Sequence, residues 1–166
     1  MKKSTSNESS VADICFHLGK ISDINSEFLS ATNFYKKSLD FYASNEGSTQ
    51  DYGDLIILLT NCVAKSSFLA EDYNLSLKNY DDLIEILSSN SNENLELLAD
   101  SYFSKGTIEE KLGNFDSAIA SMEKCISIRK NKPNLKGVVA SNLFSIGVLY
   151  TKTKMYEEAS KCLTEV

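Results

Sequence analysis

One frame recurs four times along this chain, and it restricts the fold more than any other feature. Each copy has an aromatic anchor with a small residue nine places before it, another three places after it, and a bulkier apolar residue seven places after it. Phe28 is framed by Gly19, Ala31 and Tyr35, and Tyr73 by Ala64, Ser76 and Tyr80. Phe115 is framed by Gly106, Ala118 and Met122, and Tyr156 by Gly147, Ala159 and Leu163. The anchors stand 45, 42 and 41 residues apart, a period expected of stacked hairpins. Polar segments at 44–51 (SNEGSTQD), 88–94 (SSNSNEN) and 129–134 (RKNKPN) fall between the copies and read as loops. Between them apolar residues step by three and four, as in Leu77, Tyr80, Leu83, Ile84 and Leu87, which is helical periodicity. Each unit is therefore predicted to be two helices joined by a short turn, and the fold class all-α.

The frame has a physical reading. A small residue at Gly19, Ala64, Gly106 and Gly147 lets the first helix approach a neighbouring backbone, and Ala31, Ser76, Ala118 and Ala159 do the same for the second helix. The aromatic then fills the hairpin where the chain reverses, burying roughly 150–250 Å². Asp72 and Asn114 stand where a side-chain oxygen can accept from a free N–H at the start of a helix. Pro133, the only proline, stands where the fourth unit's first helix should begin and has no N–H to leave unpaired.

With Tyr102, Gly106, Gly113, Phe115, Ala118, Met122 and Cys125 in the third unit, and Leu143, Ile146, Gly147, Tyr150, Tyr156, Ala159 and Leu163 in the fourth, the pattern resembles the tetratricopeptide repeat. The first unit matches through Leu18, Gly19, Phe28, Ala31 and Tyr35, while the second is degenerate and keeps Ala64, Tyr73, Tyr80 and Leu83. The resemblance covers residues 11–166, in units at about 11–45, 50–90, 94–131 and 134–166, with residues 1–10 expected to be a flexible polar tail. The period exceeds the 34 residues usual in the family, which calls for longer helices or loops and is similar to the spacing in kinesin light chains. The resemblance implies an α-solenoid of about four helix-turn-helix repeats, coiled as a right-handed superhelix with a concave groove lined mainly by the first helices. Its implied task is to hold a peptide or protein as a non-catalytic scaffold or adaptor.

The family frame also implies which side chains face that groove. Three places before the small residue stand Phe16, Asn61, Phe103 and Phe144. One place after it come Lys20 and Lys65, and four places after it Phe68, Glu110 and Thr151. An aromatic row interrupted by Asn61 fits an apolar partner segment, with Asn61 offering a donor and an acceptor to an extended backbone. On this reading, truncating Phe103 or Asn61 to Ala should abolish capture and leave the melt nearly unchanged. The alternative is that the phenylalanines are tucked into packing between repeats and that the polar residues are solvated. Some tetratricopeptide domains grip the carboxyl termini of heat-shock chaperones with a Lys/Asn/Lys/Arg set, and here that set is largely missing. The run Arg129, Lys130, Lys132 and Lys136 reads either as a dock for an acidic surface or as a solvated edge.

The rest of the composition narrows the function by exclusion. A formal charge of −6 and a pI near 4.9 argue against nucleic acid as a partner, since phosphate binding needs surplus Lys and Arg. The charge is uneven: residues 1–100 hold seven Lys and sixteen Asp or Glu, and residues 101–166 ten Lys or Arg and seven Asp or Glu. The longest apolar run, Leu55 to Leu59, is far short of the ~20 residues of a membrane span. Cys15, Cys62, Cys125 and Cys162 contain no C-x-x-C pair and are expected as buried reduced thiols in a cytoplasmic protein. No catalytic triad, phosphate loop or metal-ligand pattern occurs, and adjacent acids such as Glu109 and Glu110 diverge around a helix. The expectation is no enzyme activity, no cofactor and no metal. Val166 falls midway through a second helix, so a face with Tyr150, Leu163 and Val166 is expected to meet further repeats or dock end to end. The alternative function is a structural subunit that docks through its ends or convex face.

Overall fold

A computed structural model describes residues 3–45, 52–89, 94–130 and 132–164. They form eight α-helices and one 3-10 turn, with no strand among the described residues. The helices are α1 (Lys3–Ile24), α2 (Phe28–Ser44), α3 (Gly53–Leu69), α4 (Tyr73–Ser89), α5 (Leu95–Lys111), α6 (Phe115–Arg129), α7 (Lys136–Lys152) and α8 (Tyr156–Thr164). Each anchor aromatic is the first residue of a second helix. Helices α2, α3, α4, α5 and α7 each run 17 residues, so much of the long period lies in the helices themselves. Residues 46–51, 90–93 and 131, inside the three expected loops, lie outside the described residues.

The helix start at Lys3 differs from the expected tail. Residues 3–10 continue α1, because adding a turn to an existing helix avoids the nucleation cost that an isolated polar segment would meet. The chain also divides into two compact units, Met1–Leu83 and Ile84–Val166, where length alone suggests one domain. In a repeat chain each hairpin contacts only its neighbours, so no single core draws in the whole sequence.

The four hairpin turns share one backbone device. Two residues before each anchor the chain enters the left-handed region, at Ser26 (φ 61°), Glu71 (φ 62°), Gly113 (φ 80°) and Lys154 (φ 63°). The N–H of that residue and of the next donate back into the helix: Ser26 to Asp23 and Glu27 to Ser22, Glu71 to Phe68 and Asp72 to Ser67, Gly113 to Glu110 and Asn114 to Glu109, Lys154 to Thr151 and Met155 to Tyr150. This is the Schellman termination, which satisfies helix carbonyls that have no partner further along the helix. Of the two expected caps, Asp72 accepts from the Leu75 N–H at 3.1 Å, whereas the Asn114 side chain makes no capping bond. Pro133 opens the 3-10 turn Pro133–Leu135 that leads into α7.

In the first unit the small positions do what the frame requires. A Cβ on Gly19 would stand 2.6 Å from the Tyr35 ring, so only glycine lets α1 lie against that side chain. Ser76 donates to the Ala64 carbonyl at 2.7 Å, joining α4 to α3, and the Thr32 and Ser66 hydroxyls meet at 3.0 Å between α2 and α3. Tyr35 donates to Asp23 at 2.8 Å, and Tyr42 donates to Asp13. In the second unit Ala118, Ile119, Met122, Ile146 and Leu149 form a buried cluster flanked by Phe103, Phe115, Ile126, Tyr150 and Cys162. A Cβ on Gly106 would meet Met122 Cγ at 2.8 Å and the Ala118 carbonyl at 3.0 Å.

Of the four thiols only Cys125 is fully buried; Cys15, Cys62 and Cys162 are partly exposed. The expectation of four core cysteines holds for one, because the other three stand at the margins of their helices' packed faces. Cys125 Sγ accepts from Arg129 Nη1 and from Asn142 Nδ2, each at 3.1 Å.

Candidate functional site

The first unit carries five of the nine groove candidates, on α1 and α3. Phe16 is half-buried against Tyr35, with ring centroids 6.0 Å apart. Lys20 Nζ lies 5.4 Å from the Phe16 centroid, within range of a cation–π contact. One turn on, the buried Tyr35 is held by Asp23, and burial together with that carboxylate pushes its phenol well above the ordinary range. Asp23 keeps its other oxygen, Oδ1, buried without a hydrogen-bond partner.

On α3, residues 61, 65 and 68 share a face by their spacing of four and three. Asn61 and Lys65 make no side-chain hydrogen bond or ion pair among the described residues, while Phe68 tilts onto Tyr73 at 5.8 Å. The two helix faces lie close enough to act on one another. Burial raises the Cys62 thiol, and Asp23 of α1 adds to that, against the opposing pull of Lys65 and Lys20. This surface thus carries two ammonium groups, an unbonded carboxamide and two partly exposed rings. Such a set can pair with carboxylates and with the backbone of an extended segment.

The second unit treats its four candidates differently. Phe103 packs against the buried cluster of Ala118, Ile119, Met122, Ile146 and Leu149, so its truncation would open the core as well as any groove. Glu110 accepts from Lys152 Nζ at 2.5 Å. Thr151 donates to the Gly147 carbonyl within α7. Phe144 stands open, at 58% exposure, with Val148 beside it one turn on at 38%.

Half of the basic run is committed internally. Arg129 is buried and donates from Nε to Glu96 at 2.7 Å and from Nη2 to Asp100, and Lys132 donates to the other Glu96 oxygen at 3.1 Å. Burial works to raise the Glu96 carboxyl, but these hydrogen bonds outweigh it and hold it below the usual carboxylate range. Only Lys130 and Lys136 stay exposed. This network escaped sequence reasoning, although Glu96 and Asp100 lie one turn apart on α5 facing the end of α6. Tyr150, expected on an open terminal face, is half-buried and donates to Glu123 at 2.9 Å, which with burial pushes its phenol up to about 12. The side chain of Leu163 and all of Val166 lie outside the described residues.

The tetratricopeptide repeat family profile matches residues 99–132 and 140–166. These two stretches are tetratricopeptide repeats. They correspond to the hairpins α5–α6 and α7–α8 of the second unit. Solved structures similar over most of the chain include the apo form of RapI (TM-score 0.76, 17% identity, 95% of this chain and 42% of that one). They also include BtubC (BKLC) from P. vanneervenii (TM-score 0.77, 18% identity, 93% of this chain and 61% of that one). A third is YrrB, a TPR protein with an unusual peptide-binding site (TM-score 0.66, 18% identity, 94% of this chain and 67% of that one). At these identities the likeness establishes the fold, an all-α tetratricopeptide-type solenoid. The chain spans less than two thirds of the length of the first two. No curated protein sequence matches this chain. Among the described residues no helix is long and apolar enough to cross a membrane, and no group of three metal-ligating side chains comes together.

Proposed function

We propose that this chain is a non-catalytic interaction scaffold that holds an extended protein segment against the faces of its first helices. The observation that carries the reading is the state of the α3 face: Asn61 and Lys65 have no side-chain hydrogen bond or ion pair among the described residues, beside half-buried rings at Phe16 and Phe68. A carboxamide in that position offers a donor and an acceptor to a partner's main chain. Lys20 and Lys65 suit acidic side chains on the same segment. YrrB, with the same fold, is described as a peptide-binding tetratricopeptide protein, which supports the class of function. The chemistry lies in recognition, and its setting is the cytoplasm.

The test is capture of partners by the purified chain, compared with Lys20→Ala, Asn61→Ala and Lys65→Ala. All three side chains are outside the core, so each variant should melt with the wild type while losing capture. Retained capture by all three would exclude the surface of the first helices. It would favour the second reading, a structural subunit that docks through its ends or its second helices.

A further inference from the structure

The geometry points to a homodimer in which α1 pairs antiparallel with α1 of a second copy of this chain. Helix α1 carries four large aliphatic residues at Val11, Ile14, Leu18 and Ile21, and all four are exposed, at 58%, 56%, 38% and 54%. Ile24, at the end of the helix, is 81% exposed. The steps of three, four and three are those of a two-heptad seam, which places the four on one side of the helix. The packed side of α1, with Ala12, Gly19 and Ser22, adjoins this seam. Phe16 and Lys20 lie on the opposite side, so the seam is distinct from the surface proposed above for partner segments.

Five apolar residues together expose the equivalent of nearly three whole side chains, which is unusual on one helix of a solitary soluble protein. The composition of the seam says what covers it. Its flanking positions are Cys15 and Ser22 on one edge and His17 and Ile24 on the other. No Asp, Glu, Lys or Arg occurs among these eight positions, so like charges do not oppose self-association. The seam also reads the same in both directions. An antiparallel second copy sets Val11 against Ile21 and Ile14 against Leu18, apolar on apolar at every level.

Shape adds a second, independent argument for a two-fold partner. Next to Val11, a cleft of about 250 Å³ opens between α1 and α2, lined by Val11, Ala12, Cys15, Lys37 and Phe41. The protruding Ile21 stands at the other end of the same seam. Antiparallel pairing brings that end of each copy over the cleft of the other, so one two-fold axis fills both clefts. A heterologous partner would fill one and leave its own surface to be explained, whereas an isologous contact satisfies both at once. The axis passes near residue 16, so Cys15 of one copy lies beside Cys15 of the other.

Sedimentation velocity on the full chain over roughly 1–200 µM tests this directly, alongside Ile14→Lys and Ile21→Glu. Both sites are exposed, so helicity and melting should be retained. The wild type should pass from monomer to dimer across that range, and each variant should dissociate at least tenfold more readily. A short bismaleimide followed by mass spectrometry should join Cys15 to Cys15. A wild type that stays monomeric throughout would overturn the proposal. So would association that survives both variants, or cross-links that join Cys15 only to other cysteines, as a head-to-tail contact requires.

Discussion

The four turns allow one backbone effect to be isolated. Each ends its first helix with the same pair of Schellman hydrogen bonds and a left-handed residue, yet only one of those residues is glycine. A side chain in that conformation costs about 1–2 kcal/mol because Cβ crowds the following carbonyl. Glycine regains only part of this, since it releases about 0.4–1 kcal/mol more backbone freedom on unfolding. Replacing Ser26 with Gly should therefore stabilise the protein by about 0.5–1 kcal/mol. Gly113→Ser should destabilise it by a similar amount, and a Cβ at Gly113 meets no atom within 4 Å, so the loss reports φ alone. Urea unfolding followed by helical circular dichroism reads both, and in thermal melts each kcal/mol corresponds to about 2–4 °C. Ser26, Glu71 and Lys154 lie in separate turns, so their glycine variants should combine additively. The reasoning is refuted if Ser26→Gly and Gly113→Ser shift stability in the same direction.

Two further predictions follow from the packing. Gly19→Ala should destabilise by about 1–2 kcal/mol despite the better helix propensity of alanine, because the ring of Tyr35 is tethered to Asp23 and cannot move freely. Gly106→Ala should cost a similar amount, since the Ala118 backbone carbonyl at 3.0 Å cannot turn aside and Met122 Cγ lies at 2.8 Å; differential scanning calorimetry reads both, and a neutral or stabilising alanine at either position would contradict the close approach of the helices. Arg129→Met should cost about 1–3 kcal/mol by removing the donors to Glu96, Asp100 and Cys125. It should also flatten the acid limb of stability. The lowered carboxyl of Glu96 contributes fully above its unfolded value of about 4.3 and is lost as pH falls below that through the folded value. Chemical denaturation at pH 7 and pH 3 would show a smaller difference in the variant than in the wild type.

The helix pairs were legible because the anchors mark a physical event, the entry into each second helix, and because small residues must stand where backbones meet. What escaped the sequence depended on pairing across helices. Asp13 with Tyr42, Asp23 with Tyr35, and Glu96 with Arg129 join residues 12 to 33 positions apart, and helical period alone does not say which exposed positions face each other. The left-handed turns were visible only at Gly113, because Ser26, Glu71 and Lys154 carry no glycine to mark them. The same limit applied to the groove candidates. Spacing put Phe103 and Phe144 in equivalent places, but Phe103 rests on the cluster around Met122, whereas Phe144 stays open. The apolar steps of three, four and three on α1 stand in the sequence, but only the fold shows that they stay exposed.

If the faces of the first helices hold the partner, a probe placed on them will reach it. A photo-crosslinking amino acid at the half-buried position 61 of α3, set beside one at the exposed Lys36 of α2, distinguishes the two faces. Partner adducts are expected from position 61 and none from position 36. Adducts from position 36 alone would contradict this expectation and assign recognition to the second helices.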